Sequence, residues 1–209
     1  MRYIILCGSN HNTINGTPRQ LVEINGEILL ERTIRLLREN GVDDIAITAT
    51  DKRFERFGVP VIEYDSSGAW INCFYLTDEP VCYIFGDVFF SENAIKTIVE
   101  TQTDKVEFFA SSPPFSKFYP RQWAEPFAFK VTDTAYFKQC VETVKQYARD
   151  RLWRRDAIAW ETWQVVKNTP INRIDYGNYV AINDYTCDID YESDIPMLEK
   201  MVRLAHSQE

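Results

Sequence analysis

Asp87 is the first residue of this sequence whose position suggests chemistry. It follows Gly86 at the end of a short apolar run, Val-Cys-Tyr-Ile-Phe, at residues 81–85. An unbroken run of this kind is typical of a strand covered on both faces, as in a parallel sheet between helices. A carboxylate just past the carboxyl end of such a strand lies where open α/β sheets bind ligands. Asp87 is therefore a candidate ligand of a metal or a substrate, and the alternative is an ordinary Asp turn.

A polar loop is the second candidate feature. It covers residues 7–18, directly after the apolar run Tyr-Ile-Ile-Leu at residues 3–6, and it contains Gly8 and Gly16 without apolar periodicity. A loop that follows a first buried strand is the usual place of a phosphate-binding turn in α/β proteins. The pattern favours phosphate binding no more than it favours a surface loop, because one pair of glycines is weak evidence.

The elements that would position these residues alternate along the first half of the chain. Strand-like runs at 3–6, 45–49, 59–62, 81–87 and 106–110 are separated by helical patterns at 28–39, 51–57, 69–76 and 91–101. Such alternation implies βαβ crossovers and a sheet with both faces covered. It predicts an α/β fold with three layers, α/β/α, and a mostly parallel central sheet.

The second half has a different composition. Residues 111–126 are rich in proline and aromatic residues and predict a small irregular excursion. A strand at 127–131, a helical region in two pieces to residue 166, a strand at 179–182 and a helix at 193–205 follow. No linker divides the chain, so we expect a single domain over residues 1–209, with halves at 1–110 and 111–209.

Composition excludes several classes of protein. The net charge of −8 argues against a nonspecific nucleic-acid binder, which is usually basic. No apolar stretch is long enough for a signal peptide or a membrane span, so we expect no membrane partner. The five cysteines are scattered without CxxC spacing, which is typical of reduced thiols and predicts a cytoplasmic protein. Only two histidines are present, so a histidine-rich metal site is not expected.

Three segments, taken in order, resemble a known family. The polar loop leads to Thr-Pro-Arg-Gln-Leu at 17–21, a later strand ends in Gly86-Asp87, and Asp-Ile-Asp at 188–190 precedes a helix. This order resembles the nucleotidyltransferases of the sugar-phosphate and phosphocholine type, which have a Rossmann-like, GT-A-like fold. The stretch at 24–47, INGEILLERTIRLLRENGVDDIAI, is the closest match, and the looser resemblance covers most of the first half and the C-terminal segment.

The resemblance implies a reaction and a metal. A nucleoside triphosphate and a phosphorylated sugar, polyol or aminoalcohol would give a nucleoside-diphosphate conjugate and pyrophosphate, a reaction suited to the synthesis of surface polysaccharide. Mg²⁺ would be held by Asp87 and Asp190, with Asp188 as the alternative to Asp190. Arg19, in place of the family's lysine, would be the catalytic cation. A homodimer is left open.

The resemblance also implies binding residues. Those that would meet the nucleotide are Leu6, Cys7, Gly8, Ser9, Asn10, Asn72 and Gly86. Those on the acceptor side are Lys117, Arg121 and Lys130 for its phosphate, with Trp123 or Tyr119 stacking on a ring or an ammonium group.

The sequence departs from the family at two positions of the loop, Asn10 and Asn12. The family's loop follows a Gly-x-Gly-x-Arg pattern, whereas residues 8–12 keep only Gly8 and have Asn12 at the place of the arginine. These departures keep a non-catalytic nucleotide-binding protein open as an alternative. A glycosyltransferase of the same fold is the other alternative. It would be expected to carry Asp-x-Asp at the strand end, where this chain has Asp-Val-Phe at 87–89.

Overall fold

The computed structural model describes residues 1–7, 13–63, 70–113, 123–153, 156–172 and 174–206. The strands are β1 (Arg2–Leu6), β2 (Thr13–Ile14), β3 (Thr17–Pro18), β4 (Glu23–Ile24), β5 (Glu27–Ile28), β6 (Ile45–Thr48), β7 (Val61–Ile62), β8 (Val81–Phe85), β9 (Val88–Phe89), β10 (Val106–Ala110), β11 (Pro126–Val131), β12 (Val180–Ala181) and β13 (Cys187–Asp188). The α-helices are α1 (Leu29–Glu39), α2 (Glu92–Glu100), α3 (Thr134–Arg149), α4 (Ala159–Val166) and α5 (Asp194–His206).

Seven of the described strands form the central sheet, in the order β12-β10-β11-β8-β1-β6-β7. The pairs β8–β1, β1–β6, β6–β7 and β10–β12 are parallel. β11 is antiparallel to both of its neighbours, β8 and β10. The predicted α/β class with a mostly parallel sheet is therefore confirmed, with one reversed strand in its interior.

The parallel part of the sheet follows from sequence in the way the alternation predicts. β1 and β8 are nearly continuous apolar runs and are buried along almost their whole length. Helix α1 turns its apolar side inward and ends at Glu39, and Gly41 follows with a φ of +77°, which suits a glycine after a helix. Helix α2 begins after Ser91, whose hydroxyl accepts a hydrogen bond from the N–H of Ala94 at 2.9 Å.

Aromatic packing fills the sheet where β8 and β11 meet. Phe74 lies edge-to-face against Tyr83, Phe129 and Phe137, with ring centroids 5.0–5.6 Å apart. Residues 69–76, predicted to be a helix, contain a single 3-10 turn at Trp70–Cys73 among the described residues. Aromatic contacts rather than helical hydrogen bonds therefore position this segment.

An Asn-Gly turn joins β4 to β5, where Asn25 and Gly26 have φ of +52° and +81°. The proline-rich excursion lies mostly outside the described residues, which omit 114–122. None of the helices in the described part of the chain is long and apolar enough to cross a membrane.

Candidate functional site

A short two-stranded ribbon brings distant acidic residues together. β9 follows directly after Asp87, and it pairs antiparallel with β13, with Asp188 opposite Val88. The ribbon continues for one more hydrogen bond, because the N–H of Ile189 donates to the carbonyl oxygen of Asp87 at 2.9 Å. The acidic segment at 188–190 therefore lies against the carboxyl end of β8, where ligands bind in open α/β sheets.

Side chains at the start of α2 hold this ribbon in place. The hydroxyl of Ser91 donates to Asp184 at 2.5 Å, and the N–H of Ser91 donates to the hydroxyl of Thr186 at 3.0 Å. The N–H of Thr186 in turn donates to Asp184 at 2.8 Å. The helix cap of α2 and the entry to β13 thus form one hydrogen-bonded unit, all of it within three residues of the ribbon.

A second network on the same side ties α1 to the ribbon. Arg32 lies over the ring of Phe89, with its guanidinium carbon 4.6 Å from the ring centroid. Arg32 also donates to Glu92 at 2.6 Å, and the hydroxyl of Tyr185 donates to the same carboxylate. Helix α1, helix α2 and the segment before β13 therefore share one carboxylate, and this fixes the ribbon against the sheet.

Arg19 is the basic residue at this edge. It lies in a 3-10 turn at Arg19–Leu21, and its Nη1 is 2.7 Å from Asp190 Oδ1 and 4.0 Å from Asp87 Oδ2. The exposed fraction of the side chain is 17% for Arg19, 31% for Asp87 and 46% for Asp190. The predicted trio of Arg19, Asp87 and Asp190 is thus brought together in a half-buried cleft.

The acidic residues outnumber the basic ones in this cleft. Burial raises the pKa of Asp87, and the charge of Asp190 raises it further, whereas Arg19 lowers it. Burial and the charges of Glu125, Asp190 and Asp87 raise the pKa of Asp188 to about 9. One guanidinium therefore faces several carboxylates, and a bound cation would relieve their repulsion.

The donor set fits a hard divalent cation. Carboxylate oxygens are the ligands that Mg²⁺ prefers, and it is bound in nucleotide sites through one or two carboxylates together with phosphate oxygens and water. Asp87 and Asp190 offer one carboxylate each, and both lie within 4.0 Å of the same Nη1 of Arg19. The chemistry of these donors therefore fits the Mg²⁺ that the resemblance implies.

Glu125 is a part of this cluster that the sequence reasoning missed. Its side chain is buried, Oε2 accepts from the N–H of Asp188 at 3.1 Å, and Oε1 lies 3.7 Å from the sulfur of Cys187. Because β11 runs antiparallel to β8, the residue before β11 lies at the carboxyl end of β8. The sequence shows an acid before a strand, but the direction of that strand in the sheet is needed to place it. Asp188, kept as the alternative metal ligand, points toward Glu125.

Gly86 is required by packing between β1 and β8. A Cβ at this position would lie 2.7 Å from both the sulfur of Cys7 and the carbonyl oxygen of Leu6. The N–H of Gly86 donates to that same carbonyl at 3.1 Å. The glycine at this position therefore allows the close approach of the neighbouring strand β1.

The predicted nucleotide-binding residues are only partly described. The N–H of Cys7 donates to the carbonyl of Thr48 at 3.0 Å, so this group, like the carbonyl of Leu6, is already used by the sheet. Burial and the charge of Asp87 raise the pKa of the Cys7 thiol well above its usual range. Asn72 lies in the 3-10 turn after the undescribed residues 64–69. Gly8, Ser9 and Asn10 lie outside the described residues.

Lys130 is one of the two predicted acceptor residues that the structure describes. Lys130 is buried, and its ammonium donates to the carbonyls of Ile98, Val99 and Thr101 at 2.7–3.0 Å, at the end of α2. It pairs with Cys82, near the start of β8, so it lies at the edge of the sheet opposite Asp87. The contacts of Lys130 therefore indicate a structural role, the capping of a helix end.

Trp123 keeps a position compatible with its expected role. Its side chain is 75% exposed, and it lies two residues before Glu125 in the chain. Lys117, Tyr119 and Arg121 fall outside the described residues. On the acceptor side, the described part of the chain therefore leaves Trp123 as the remaining candidate.

Comparisons with known proteins identify the fold. No protein-family model and no curated protein matches the sequence. The chain is similar to the solved structure of CTP:phosphocholine cytidylyltransferase from Streptococcus pneumoniae, with a TM-score of 0.56 and 17% identity over 96% of this chain and 98% of that one. It is also similar to the inositol-1-phosphate CTP transferase from T. maritima, with a TM-score of 0.60 and 15% identity over 96% and 94%.

A third solved structure agrees with these two. It is a protein from Bacillus anthracis assigned as a glucose-1-phosphate thymidylyltransferase, with a TM-score of 0.61 and 15% identity over 97% of this chain and 95% of that one. All three likenesses extend over nearly the whole chain, so the fold is the one found in these nucleotidyltransferases. The predicted resemblance is confirmed at the level of the fold.

Proposed function

We propose that this protein is a nucleotidyltransferase that transfers a nucleoside monophosphate from a nucleoside triphosphate to a phosphorylated small molecule. A phosphate oxygen of the acceptor would attack the α-phosphorus, the bond between the α-phosphorus and the bridging oxygen would break, and pyrophosphate would leave. The observation that carries the proposal is the meeting of Asp87, Asp190 and Arg19 at the carboxyl edge of the sheet. The likeness of the fold to three nucleotidyltransferases supports it.

The residues of this edge suit the electrostatic needs of that reaction. Two anions have to approach each other, so the site must supply positive charge and fixed geometry more than covalent help. Asp87 and Asp190 would hold Mg²⁺, which when bound supplies the charge that neutralises the phosphate oxygens. Arg19 would bind phosphate oxygens through its planar fork of N–H donors, which fits a phosphate bidentately.

The acceptor would be a phosphorylated sugar, polyol or aminoalcohol. Trp123 offers an exposed ring two residues before Glu125 in the chain, and such a ring can stack on a sugar face or cover an ammonium group. The three similar structures act, by their names, on phosphocholine, inositol-1-phosphate and glucose-1-phosphate. We place the reaction in the cytoplasm, on a route to surface polysaccharide.

One observation disfavours a glycosyltransferase on the same fold. The second aspartate of an Asp-x-Asp motif would fall on Phe89, which is buried in β9 and packs under Arg32. The acidic partner of Asp87 comes instead from residue 190, far along the chain. This arrangement favours nucleotidyl transfer over transfer from a nucleotide sugar.

The test is release of pyrophosphate from each of the four common nucleoside triphosphates, with Mg²⁺ and a panel of phosphorylated acceptors. We expect release that depends on one class of acceptor and falls by about a hundredfold or more in Asp87→Asn. Asp78→Asn is the matched control, because Asp78 is an exposed aspartate paired with Lys138 on the surface. Nucleotide binding without pyrophosphate release, with every acceptor, would instead support a non-catalytic nucleotide-binding protein.

A further inference from the structure

The contact between Arg19 and Asp190 joins two groups that the proposed reaction needs apart. Arg19 would bind the triphosphate and Asp190 would bind the metal, yet here Nη1 lies 2.7 Å from Oδ1. The same nitrogen is 4.0 Å from Asp87 Oδ2, so one guanidinium N–H group faces both proposed metal ligands. Its positive charge therefore lies next to the carboxylates that a metal cation would bind.

We propose that Arg19 serves as an internal counter-cation, which neutralises the metal ligands whenever no metal is bound and leaves Asp190 when metal and triphosphate arrive together. This inference rests on the proposed function, because it assigns Arg19 and Asp190 to the phosphate and the metal. The ion pair opposes binding of a metal alone, since the metal has to displace a charge of its own sign. It opposes binding of a triphosphate alone, since Arg19 has first to leave a carboxylate.

The hydrogen bonds that Arg19 makes, and the one that its Nε lacks among the described residues, favour a change of partner. Its Nε is buried and has no hydrogen-bond partner among the described residues, although its Nη1 is bonded. A buried N–H without a partner is costly, and phosphate oxygens could satisfy Nε and an Nη together. The contact with Asp190 uses one nitrogen of the fork, so exchange of a carboxylate for a phosphate would increase the number of hydrogen bonds.

A second contact keeps the two segments together while Arg19 moves. Asn15, in the turn between β2 and β3, donates from Nδ2 to Glu192 at 3.0 Å. The backbone around Asp190 is held separately, since Asp194 accepts from the N–H groups of Asp190 and Tyr191 at 2.9 and 2.7 Å. The side chain of Arg19 can therefore exchange partners without separation of the segments that carry it and Asp190.

The experiment measures binding of Mn²⁺, as a probe for Mg²⁺, to the full chain without nucleotide, by electron paramagnetic resonance of the free ion. If Arg19 competes with the metal, Arg19→Gln should bind Mn²⁺ about fivefold more tightly or better, the lower range of coupling between two sites. Asp190→Asn should bind it more weakly. Arg2→Gln is the matched control, because Arg2 forms a comparable ion pair with Asp44 at the other end of β1.

Two further variants separate charge from structure. Arg19→Met keeps the buried stem of the side chain and should tighten Mn²⁺ binding in the same way, also when Arg19→Gln folds poorly. Glu192→Ala removes the contact with Asn15 and should leave Mn²⁺ affinity within about twofold of the wild type, because it leaves the Arg19 charge in place. Mn²⁺ affinity that is unchanged or lower in both Arg19 variants would overturn the proposal.

A measurement on the unmodified chain gives an independent readout. The side-chain N–H signals of Arg19 in nuclear magnetic resonance should shift when Mg²⁺ and tripolyphosphate are added together, and much less with either one alone. Equal shifts with Mg²⁺ alone would contradict the proposed mutual dependence. If the Arg19 variants bind Mn²⁺ more tightly but no pyrophosphate is released with any substrate, the counter-cation role of Arg19 is supported and the proposed reaction is contradicted.

Discussion

The N–H of Ile189 donates a hydrogen bond to the carbonyl oxygen of Asp87 at 2.9 Å, and this bond joins the two segments that carry the acidic residues of the candidate site. It extends the pairing of β9 with β13 to the residue that begins the ribbon. The acidic side chains on either side of Ile189 are thereby fixed beside the end of β8. A contact between backbones, which uses no side-chain atom, therefore brings the C-terminal acids to the sheet.

Metal-free stability should depend on pH through Asp188. Burial and neighbouring carboxylates raise its pKa to about 9 in the folded chain, against about 3.9 in an unfolded one. A raised pKa means that the folded state binds the proton more tightly, so its contribution is complete below pH 4 and is lost as pH rises toward 9. The free energy of unfolding, measured by denaturant titration without metal, should fall over that range.

Asp188→Asn should flatten this dependence, because the amide resembles the neutral carboxyl and does not titrate. Asp78→Asn, on the exposed surface, should leave the slope as it is. A wild-type curve that rises from pH 5 to pH 8, with the same curve in Asp188→Asn, would show that the carboxyl of Asp188 is ionised throughout.

Gly86→Ala should destabilise the protein by about 3 kcal/mol, the upper part of the range for overpacking a core. The added Cβ would lie 2.7 Å from the carbonyl oxygen of Leu6, a backbone atom that cannot move freely, and equally close to the sulfur of Cys7. Thermal unfolding measures the effect. Gly177→Ala is the control, because its nearest contact is a side-chain oxygen of Asp175 at 3.1 Å.

The double variant Gly86→Ala with Cys7→Ala tests the cause. Removal of the sulfur relieves one of the two short contacts, so we expect a partial recovery of stability relative to the sum of the single variants. Full recovery of stability would show that the contact with the Cys7 sulfur causes the whole loss. Losses of stability that add up would show that the two positions do not interact.

Lys130→Met should lower the free energy of unfolding by about 1–3 kcal/mol, because the end of α2 loses hydrogen bonds to three carbonyls. The Michaelis constant for the acceptor should not change, since Lys130 lies at the opposite edge of the sheet from Asp87. Lys138→Met, on the surface, should affect neither quantity. A large rise in the Michaelis constant for the acceptor in Lys130→Met, at a temperature where the variant is folded, would show that Lys130 takes part in acceptor binding.

Trp123→Ala should weaken acceptor binding with little change in stability. The side chain is 75% exposed, so its loss should alter the free energy of unfolding by less than about 0.5 kcal/mol. Loss of a stacking partner should raise the Michaelis constant for the acceptor about fivefold and leave that for the nucleotide unchanged. Leu152→Ala, which removes another exposed apolar side chain, is the control, and an equal effect in both variants would rule out a specific stacking role.

Much of this arrangement could be predicted from local patterns. The apolar runs at β1 and β8 and the amphipathic α1 predict the parallel part of the sheet, because burial on both faces leaves a continuous apolar signature. Asp87 follows from the same argument, since its place depends only on where one strand ends. The roles of Asp190 and Arg19 were predicted from the order of motifs that resembles the nucleotidyltransferase family.

The remaining positions depend on pairing between distant segments. Nothing in the residues around Glu125 shows that β11 is reversed, so its place beside Asp188 could not be inferred. The place of Lys130 could not be inferred for the same reason, because the direction of β11 puts it at the end of the sheet opposite Asp87. A basic residue on a strand looks the same in sequence whether it binds a ligand or caps a neighbouring helix.

The reversed strand β11 also has a consequence for synthesis of the protein. β10 is made before β11, but in the finished sheet β10 contacts β11 and β12, both of which are made later. A nascent chain from which residue 110, but not residue 126, has emerged would therefore present an apolar strand with both edges unpaired, the kind of segment that chaperones bind and that aggregates readily. We expect ribosome-bound chains at this stage to be held by chaperones, and release from them only after residue 131 has left the ribosome.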